Sequence, residues 1–283
     1  MPLTTTTKML LDAGKNGYAV AAFNVENMEM MQAVVAAGEE MNAPLILQTT
    51  PSTVRYATVE LFFANAAALA EKSGIPIALH LDHGSSFSLA ESALRAGYTS
   101  IMIDGSHLPF KENIAFTRET VELCEKAGIP VEGELGRVGG KEDDTESKDE
   151  GYVNPEEALL FVKETGVSSL AIGIGTAHGV YTVKPVLKPE LISIIKSMVD
   201  IPLVLHGSSG LEDDVIKDCI KRGISKVNIA TDLRIIYTRS VREYLELNPG
   251  CIDPKKFGAE AREAVKRIAM ERIMVCGCQG HAN

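Results

Sequence analysis

Short apolar segments recur along the chain, and stretches with helical spacing separate them. The apolar segments are rich in β-branched residues and nearly continuous, which is typical of strands buried on both faces of a parallel sheet. Eight segments are predicted as strands: Ala19–Val25, Pro44–Thr50, Pro76–His83, Ser100–Ser106, Pro130–Gly136, Ser169–Gly175, Pro202–Ser209 and Lys226–Thr231. The regular alternation of strand and helix indicates an α/β fold.

The segments between the predicted strands carry apolar residues at helical spacing. Leu89–Leu94 and Val215–Ile220 each place four apolar side chains on one helical face. Glycine ends three of the predicted helices, at Gly74, Gly128 and Gly223, shortly before the next strand. Because eight βα units in 283 residues are typical of a TIM barrel, we predict a (β/α)8 barrel that forms one domain over residues 1–283.

Two further stretches complete the predicted architecture. Pro254–Val275 follows the eighth βα unit and predicts a helical C-terminal extension. Lys141–Gly151 is strongly charged and too polar to pack, so we expect a mobile loop there, over the barrel mouth. The alternative fold is a doubly wound open sheet, but the first strand is not followed by the G-x-G-x-x-G motif of a Rossmann fold.

The composition and net charge of the chain argue against some classes of binding partner. The net charge of −10 and the pI of about 5.2 argue against nucleic acid, which needs clustered Lys and Arg. No apolar run has the roughly 18 residues of a membrane span, and the N-terminal segment lacks the long apolar stretch of a signal peptide. We therefore expect a cytoplasmic protein without membrane contact. The five cysteines, an odd number, are expected to be reduced thiols.

Polar residues stand at the ends of the predicted strands, where the active face of a barrel lies. Three of the six histidines, His83, His178 and His206, fall at this rim. A single histidine at a strand end more often makes a structural hydrogen bond, but three that converge form the ligand set of a catalytic zinc with an open fourth position. Neutral imidazoles leave the charge of the metal uncompensated, which suits Lewis-acid chemistry on a carbonyl or enolate oxygen.

Carboxylates and other polar side chains accompany these histidines. Asp82 directly precedes His83, and two interpretations of it are open: a carboxylate that holds the His83 ring, or a general acid and base beside the metal. The remaining strand-end candidates are Asp104 and Glu134, together with Asn24 and Thr50, which we expect to bind substrate.

Two segments have the character of phosphate-binding loops. His206-Gly207-Ser208-Ser209-Gly210 combines small residues, hydroxyls and backbone N–H groups after the seventh strand, although an ordinary turn could have this sequence. Asn228-Ile229-Ala230-Thr231-Asp232 ends the eighth strand and opens a helix. The loops after strands seven and eight are the usual phosphate site of a barrel, and backbone amides at a helix N-terminus bind phosphate without lysine. An acidic protein can thus bind an anionic substrate.

The same residues carry a resemblance to a known family. The motifs are Leu81-Asp82-His83-Gly84, Met102-Ile103-Asp104-Gly105-Ser106, Glu134-Leu135-Gly136-Arg137-Val138-Gly139-Gly140, Gly175-Thr176-Ala177-His178-Gly179, Val204-Leu205-His206-Gly207-Ser208-Ser209-Gly210 and Val227-Asn228-Ile229-Ala230-Thr231. In this order they resemble the class II, zinc-dependent fructose/tagatose-bisphosphate aldolases over nearly the whole chain. The Asn-Ile-Ala-Thr string and the Cys276-Gly277-Cys278 tail are most similar to the tagatose-1,6-bisphosphate branch.

The resemblance implies roles for individual residues. It implies that His83, His178 and His206 bind the catalytic Zn²⁺, and that Asp104 and Glu134 bind a second, mobile zinc. Asp82 is implied to move the proton of the aldehyde-side hydroxyl, and Glu142 the proton at the carbon to be bonded. The residues implied to hold dihydroxyacetone phosphate are Gly179, Gly207, Ser208, Ser209, Asn228, Ile229, Ala230 and Thr231. A monovalent cation, Na⁺ or K⁺, is implied near these backbone carbonyls.

The implied reaction is retro-aldol cleavage of a ketose 1,6-bisphosphate, with tagatose favoured over fructose. A sugar-acid phosphate is a further alternative. Asp253–Ala259 departs from the motif after which tagatose members usually place a basic residue near the aldehyde-side phosphate, although Lys255 and Lys256 could substitute, so the aldehyde partner stays open. A Schiff-base aldolase needs a strand lysine at the mouth, whereas the sixth strand has none and Lys226 begins the eighth strand at the opposite end of the barrel. The remaining rival is a non-catalytic scaffold subunit. The implied partners are a second copy, as a homodimer or homotetramer joined through Glu260–Met274, and a non-catalytic companion subunit.

Overall fold

The strands of the protein form a barrel and a smaller sheet. The computed structural model describes residues 2–136, 138–142, 145–147, 151–179, 181 and 185–282, without the side chains of residues 141, 142 and 145–147. The strands are β1 (Val20–Asn24), β2 (Leu45–Thr49), β3 (Ile77–Gly84), β4 (Ser100–Ile103), β5 (Val131–Leu135), β6 (Gly139–Glu142), β7 (Thr145–Ser147), β8 (Ser169–Ile172), β9 (Ala177–His178), β10 (Leu203–Leu205) and β11 (Ile224–Ile229). Within the described residues, eight parallel strands close a barrel in the order β1-β11-β10-β8-β5-β4-β3-β2, while β7, β6 and β9 form the smaller sheet.

Helices follow the barrel strands and cover them. They are α1 (Thr6–Asn16), α2 (Met28–Met41), α3 (Pro51–Ala57), α4 (Val59–Lys72), α5 (Phe87–Ala96), α6 (Phe110–Glu125), α7 (Pro155–Thr165), α8 (Glu190–Lys196), α9 (Asp213–Arg222), α10 (Thr231–Leu247) and α11 (Pro254–Cys276). The C-terminal helix α11 packs against α2 and α10, and its buried side chains include Ala261, Val265 and Ala269. None of the helices in these described segments is both long and apolar enough to cross a membrane.

Short polar signals set where individual helices begin and end. Ser86 accepts a hydrogen bond from the Leu89 N–H at the start of α5, and Asn154 accepts from two N–H groups at the start of α7, directly before Pro155. Each such cap stabilises a helix by about 1 kcal/mol. Gly223, with φ 129°, ends α9 and turns the chain into β11. The helix therefore stops at the glycine that the sequence indicates.

The barrel confirms the predicted fold, with two local corrections. The eighth strand begins at Ile224 instead of Lys226, so that Lys226 lies within the strand and not at its start. The charged stretch is not a loop throughout, because β6 and β7 pair in antiparallel fashion with Glu142 opposite Thr145. A hairpin forms there because its backbone groups pair with each other and with β9, which charged side chains do not prevent. Residues 143, 144 and 148–150 of this stretch lie outside the described residues.

The barrel interior has a polar part, which is unusual because branched apolar side chains normally fill a TIM barrel. Met102, Ala171 and Val204, on β4, β8 and β10, form a buried apolar cluster inside the barrel. His80 and Lys226, on β3 and β11, are also buried, with exposed fractions of 0% and 1%. Ionisable groups buried in a barrel require partners, and these partners connect the interior to the site at the mouth.

Candidate active site

Three histidine rings converge at the carboxyl ends of the barrel strands. His83 lies at the end of β3, His178 forms part of β9, and His206 directly follows β10. The nitrogens that they offer lie within 4.8 Å of one another, and Nε2 of His83 is 2.9 Å from Nδ1 of His206. The three histidines chosen from the sequence thus form one cluster.

Carboxylates hold the outward nitrogens of two of these rings. Asp104 Oδ2 lies 2.8 Å from Nδ1 of His83, and Glu132 Oε1 lies 3.0 Å from Nε2 of His206. A carboxylate accepts a hydrogen bond, so each ring carries its proton on the outward side and turns a lone pair toward the other ring. Carboxylates behind histidines in this way orient and strengthen metal ligands.

The arrangement suits a divalent cation. Two lone pairs that face each other at 2.9 Å repel unless a cation or proton lies between them. Tetrahedral zinc with bonds of about 2.0–2.1 Å would place two ligand nitrogens roughly 3.3 Å apart, close to this separation. The donor set of imidazole and carboxylate groups also matches zinc.

The protonation states of these groups agree with a metal site. Burial lowers the pKa of His206, which keeps the ring neutral, although the hydrogen bond to Glu132 opposes this effect. Burial alone would raise the pKa of the Asp104 carboxyl, but the hydrogen bond from His83 holds it below its usual range. Burial acts likewise on Glu132, and the charge of Lys226 keeps the pKa of its carboxyl below the usual range. Neutral imidazoles and ionised carboxylates are the forms that bind metal.

A second group of ligand atoms overlaps the first. His83, Asp104 and Glu134 bring one ligand atom each within 4.8 Å of one another. Glu134 Oε2 lies 3.8 Å from Nδ1 of His83 and 3.9 Å from Nδ1 of His206, so it adjoins both groups. The geometry therefore offers a second position for a metal that shares His83.

An irregularity in β3 explains how two consecutive side chains serve the same site. Side chains of neighbouring strand residues normally point to opposite faces. Between Leu81 and Gly84 the pairing with β4 slips, so that three steps on β3 match two on β4, and His83 has a φ of 49°. Such a conformation costs a non-glycine residue on the order of 1–3 kcal/mol and is concentrated at functional sites. The irregularity lets the side chains of Asp82 and His83 both lie at the barrel mouth.

Two amide side chains fix the carboxylate of Asp82. Asn24 Nδ2 donates to Asp82 Oδ2 at 2.7 Å, and Asn228 Nδ2 donates to Oδ1 at 3.1 Å. The carboxylate that lies at Nδ1 of His83 is Asp104 and not Asp82. Asp82 is therefore not the carboxylate that holds the His83 ring at Nδ1.

A small pocket adjoins the histidine cluster, beside the N-terminus of α10. It is lined by Asn24, His178, Gly179, Gly207, Ser208, Ser209, Asn228, Ala230, Thr231 and Arg234. Ser208 Oγ donates to the carbonyl of Asn228, and Ser209 Oγ accepts from the Ala230 N–H, which fixes the two predicted loops against each other. Most of the residues predicted to hold phosphate therefore share one pocket.

Two predicted substrate residues have other surroundings. Thr50 is buried at the start of α3, where its hydroxyl accepts from the Thr53 N–H, and the side chain of Ile229 is buried at the end of β11. Neither is among the residues that line the pocket, although the backbone of Ile229 continues into its wall.

Arg234 is a pocket residue that the sequence did not single out. It lies on α10, one turn after Thr231, and forms an ion pair with Glu26, with Nε 2.6 Å from Oε1. Glu26 also accepts a hydrogen bond from the Thr53 hydroxyl at 2.7 Å. The position of Arg234 near the start of the helix after strand eight could have indicated an anion-binding role. Its ion pair with Glu26 could not be predicted, because the two residues are 208 positions apart.

The charged hairpin is attached to the cluster through its first strand. β6 pairs with β9 in parallel, so that Gly139 lies opposite Ala177 and Gly140 opposite His178. A Cβ on Gly140 would collide with the backbone of His178, so only glycine fits this contact. Glu142 follows two residues later in the same strand, and its side chain lies outside the described residues. The register nevertheless places the Glu142 backbone near a predicted metal ligand.

Tyr181 is a second residue that the sequence analysis missed. Its hydroxyl accepts a hydrogen bond from the Ala177 N–H and donates one to the Gly207 carbonyl, both at 2.8 Å. It therefore joins the chain beside His178 to the chain beside His206.

The expectation that Lys226 lies at the opposite end of the barrel is wrong. It is the third residue of β11, and its Nζ is buried 2.8 Å from Glu132 Oε2, one side chain away from His206. The strand begins two residues earlier than predicted, which moves this position toward the middle of the barrel. A lysine that is only 1% exposed and ion-paired does not offer a free amine at the mouth.

Comparison with known proteins identifies the family. The family model for class-II fructose-bisphosphate aldolase matches residues 4–281. The YdjI aldolase from Escherichia coli K12 is 37% identical, covers 99% of this chain and 100% of its own, and superposes with a TM-score of 0.89. A putative fructose-1,6-biphosphate aldolase from Coccidioides immitis is 30% identical over 97% of this chain and 96% of its own, with a TM-score of 0.90.

A third solved structure supports the fold alone. The fructose-bisphosphate aldolase from Campylobacter jejuni is 23% identical, covers 100% of this chain and 97% of its own, and has a TM-score of 0.86. Because the family model spans almost the whole chain and two relatives reach 30% identity or more, the resemblance of the motifs to the class II aldolases is confirmed at the level of the family. The chain therefore belongs to the class II fructose-bisphosphate aldolase family, and it is a lyase.

Proposed function

We propose that this aldolase cleaves a ketose 1,6-bisphosphate, with tagatose 1,6-bisphosphate favoured, to dihydroxyacetone phosphate and glyceraldehyde 3-phosphate, and that it depends on zinc. The observation that carries the proposal is the cluster of His83, His178 and His206, whose ligand nitrogens lie within 4.8 Å. The cluster adjoins both a buried carboxylate and a pocket with phosphate-binding character. When bound, zinc would act as a Lewis acid on the ketose oxygens and stabilise the negative charge that develops as the bond breaks.

Asp82 takes the proton in this proposal. Asn24 and Asn228 donate to its two oxygens, which leaves it fixed next to the histidine cluster and able to accept the hydroxyl proton on the aldehyde side. Removal of that proton lets the carbon–carbon bond break and the aldehyde leave. In the reverse direction the protonated carboxyl returns the proton to the new hydroxyl group.

The pocket at the start of α10 receives the phosphate of dihydroxyacetone phosphate. The helix N-terminus and the backbone N–H groups of the two loops supply partial positive charge. Arg234 places N–H donors at the wall of the pocket, and its ion pair with Glu26 holds its guanidinium in place. This local positive potential lets a protein of net charge −10 bind an anion. The monovalent cation stays a prediction for the same region.

The substrate is tested by retro-aldol kinetics with each pure bisphosphate. We expect kcat/KM for tagatose 1,6-bisphosphate to exceed that for fructose 1,6-bisphosphate, because the motifs at Asn228–Thr231 and Cys276–Cys278 are most similar to the tagatose branch. A preference for fructose 1,6-bisphosphate, the substrate in the name of the Coccidioides protein, would reverse the assignment. Failure with both sugars would direct the search to other phosphorylated ketoses, including sugar acids.

Glu142 is proposed to move the proton at the carbon of dihydroxyacetone phosphate. Its backbone lies in β6, two residues after the glycine that pairs with His178, within reach of the mouth. Glu142→Ala should slow exchange of the dihydroxyacetone phosphate proton with solvent deuterium by about 10²–10⁴-fold, which is the usual contribution of a general base, while binding changes little.

The matched control for this variant is Glu146→Ala. It removes an equal charge from the facing strand of the hairpin, where Glu146 lies opposite Lys141. The control should exchange at the wild-type rate. Exchange at the wild-type rate in Glu142→Ala would assign the proton transfer to another residue.

Assembly with a second copy is also proposed, as a homodimer or homotetramer. Leu247 at the end of α10 and Ile252 just before α11 expose 83% and 94% of their surface, which suits an interface beside the predicted element Glu260–Met274. A monomer in sedimentation at micromolar concentration would contradict this. The companion subunit and the cytoplasmic location stay predictions.

A further inference from the structure

A lysine buried in the barrel interior has no part in the proposed reaction. Lys226 is 1% exposed, and its Nζ lies 2.8 Å from Glu132 Oε2 and 3.2 Å from His80 Nε2. Burying an ammonium and a carboxylate carries a large desolvation cost, and an apolar pair of similar volume is often as stable. The ion pair therefore calls for an explanation beyond stability.

Glu132 connects this lysine to the histidine cluster. One carboxylate oxygen faces Lys226, and the other lies 3.0 Å from Nε2 of His206. Asn228 Nδ2 also lies 3.1 Å from Nε2, but an ionised carboxylate can only accept, so Nε2 carries a proton and donates it to Glu132, while the Asn228 amide donates to Asp82. His206 must then present the lone pair of Nδ1 to His83.

The chain of hydrogen bonds continues away from the mouth. Because Lys226 donates to Nε2 of His80, the proton of that ring lies on Nδ1, which donates to Ser100 Oγ at 2.8 Å. The hydroxyl of Thr6, on α1, also donates to Ser100 Oγ, at 3.1 Å. Every group from Thr6 to His206 has a consistent role as donor or acceptor. The ammonium of Lys226 is therefore held by His80 on one side and by Glu132 on the other.

We propose that Lys226 is a positioning residue for the metal site, which it serves by fixing Glu132 and thereby the tautomer and orientation of His206. Without the lysine, the carboxylate would be a lone buried charge that relaxes toward water or other donors. His206 would then lose the acceptor that keeps its Nδ1 lone pair directed into the cluster. The proposal rests on the zinc site of the proposed function.

The test measures zinc affinity directly, by competition with a chromophoric chelator. Lys226→Met should weaken zinc binding by about 10–100-fold, the usual effect of losing a partner behind a metal-binding histidine. Lys221→Met, on the outer helix α9, makes the same chemical change on the surface and should bind zinc as the wild type does. Circular dichroism and the melting temperature of the metal-free proteins show whether each variant is folded.

A double variant keeps the test decisive if Lys226→Met does not fold. Lys226→Met with Glu132→Gln removes both buried charges, and the introduced amide can turn its NH₂ group toward His206, so zinc affinity should still fall by about tenfold or more. Wild-type zinc affinity in a folded variant that lacks Lys226 would overturn this inference alone. Failure of the wild-type protein to bind zinc would instead overturn the proposed metal site.

Discussion

Asp82→Asn is expected to bind zinc nearly as the wild type does and to lose most of its turnover, by about 10²–10⁴-fold. The carboxylate accepts hydrogen bonds from Asn24 and Asn228 and is not the group at Nδ1 of His83, so the imidazole cluster does not need it. An amide cannot take the hydroxyl proton. The measurement pairs zinc content with the rate of retro-aldol cleavage in the same sample.

The control for this variant is Asp213→Asn. Asp213 forms an ion pair with Arg272 on the outer surface, so the same substitution there should leave both zinc content and rate unchanged. Since the amide introduced in Asp82→Asn would turn its NH₂ group toward a neighbouring amide donor, the melting temperature is measured as well. Loss of zinc together with unchanged turnover per bound metal would show that Asp82 supports the metal site and does not transfer the proton.

The barrel and the histidine cluster were predictable because both follow from local patterns. Buried parallel strands require runs of apolar residues, and the ends of those runs mark the mouth, where His83, His178 and His206 stand. The order of the strands then brings together residues that lie up to 123 positions apart, as with His83 and His206. The apolar runs together with the closed order of the barrel strands are therefore sufficient to predict the cluster.

Other parts of the site depend on register or on distant partners. Glu132 and Glu134 are two residues apart on β5, so their side chains lie on the same face of the strand. The pairing of Glu132 with Lys226, however, depends on where β11 begins. The ion pair of Arg234 with Glu26 joins residues that are 208 positions apart in the sequence. The hairpin of β6 and β7 has no apolar pattern to reveal it, since its pairing is made by the backbone.

Removal of zinc is the second change for which we expect a large effect. Each of two cluster histidines is backed by a carboxylate and turns a lone pair inward, and two such lone pairs at 2.9 Å need a cation between them. Exhaustive chelation should therefore abolish cleavage. His206→Ala should bind zinc far more weakly, because two remaining imidazoles make a much poorer cage.

The central claim is tested most directly by titrating zinc into the metal-free enzyme while the rate of ketose bisphosphate cleavage is followed. We predict that activity returns in proportion to bound metal and reaches its maximum at about one zinc per chain, as three converging histidines imply. His206→Ala in the same titration should recover little activity at this ratio. Full cleavage activity in the wild-type enzyme after its metal has been removed would contradict the account.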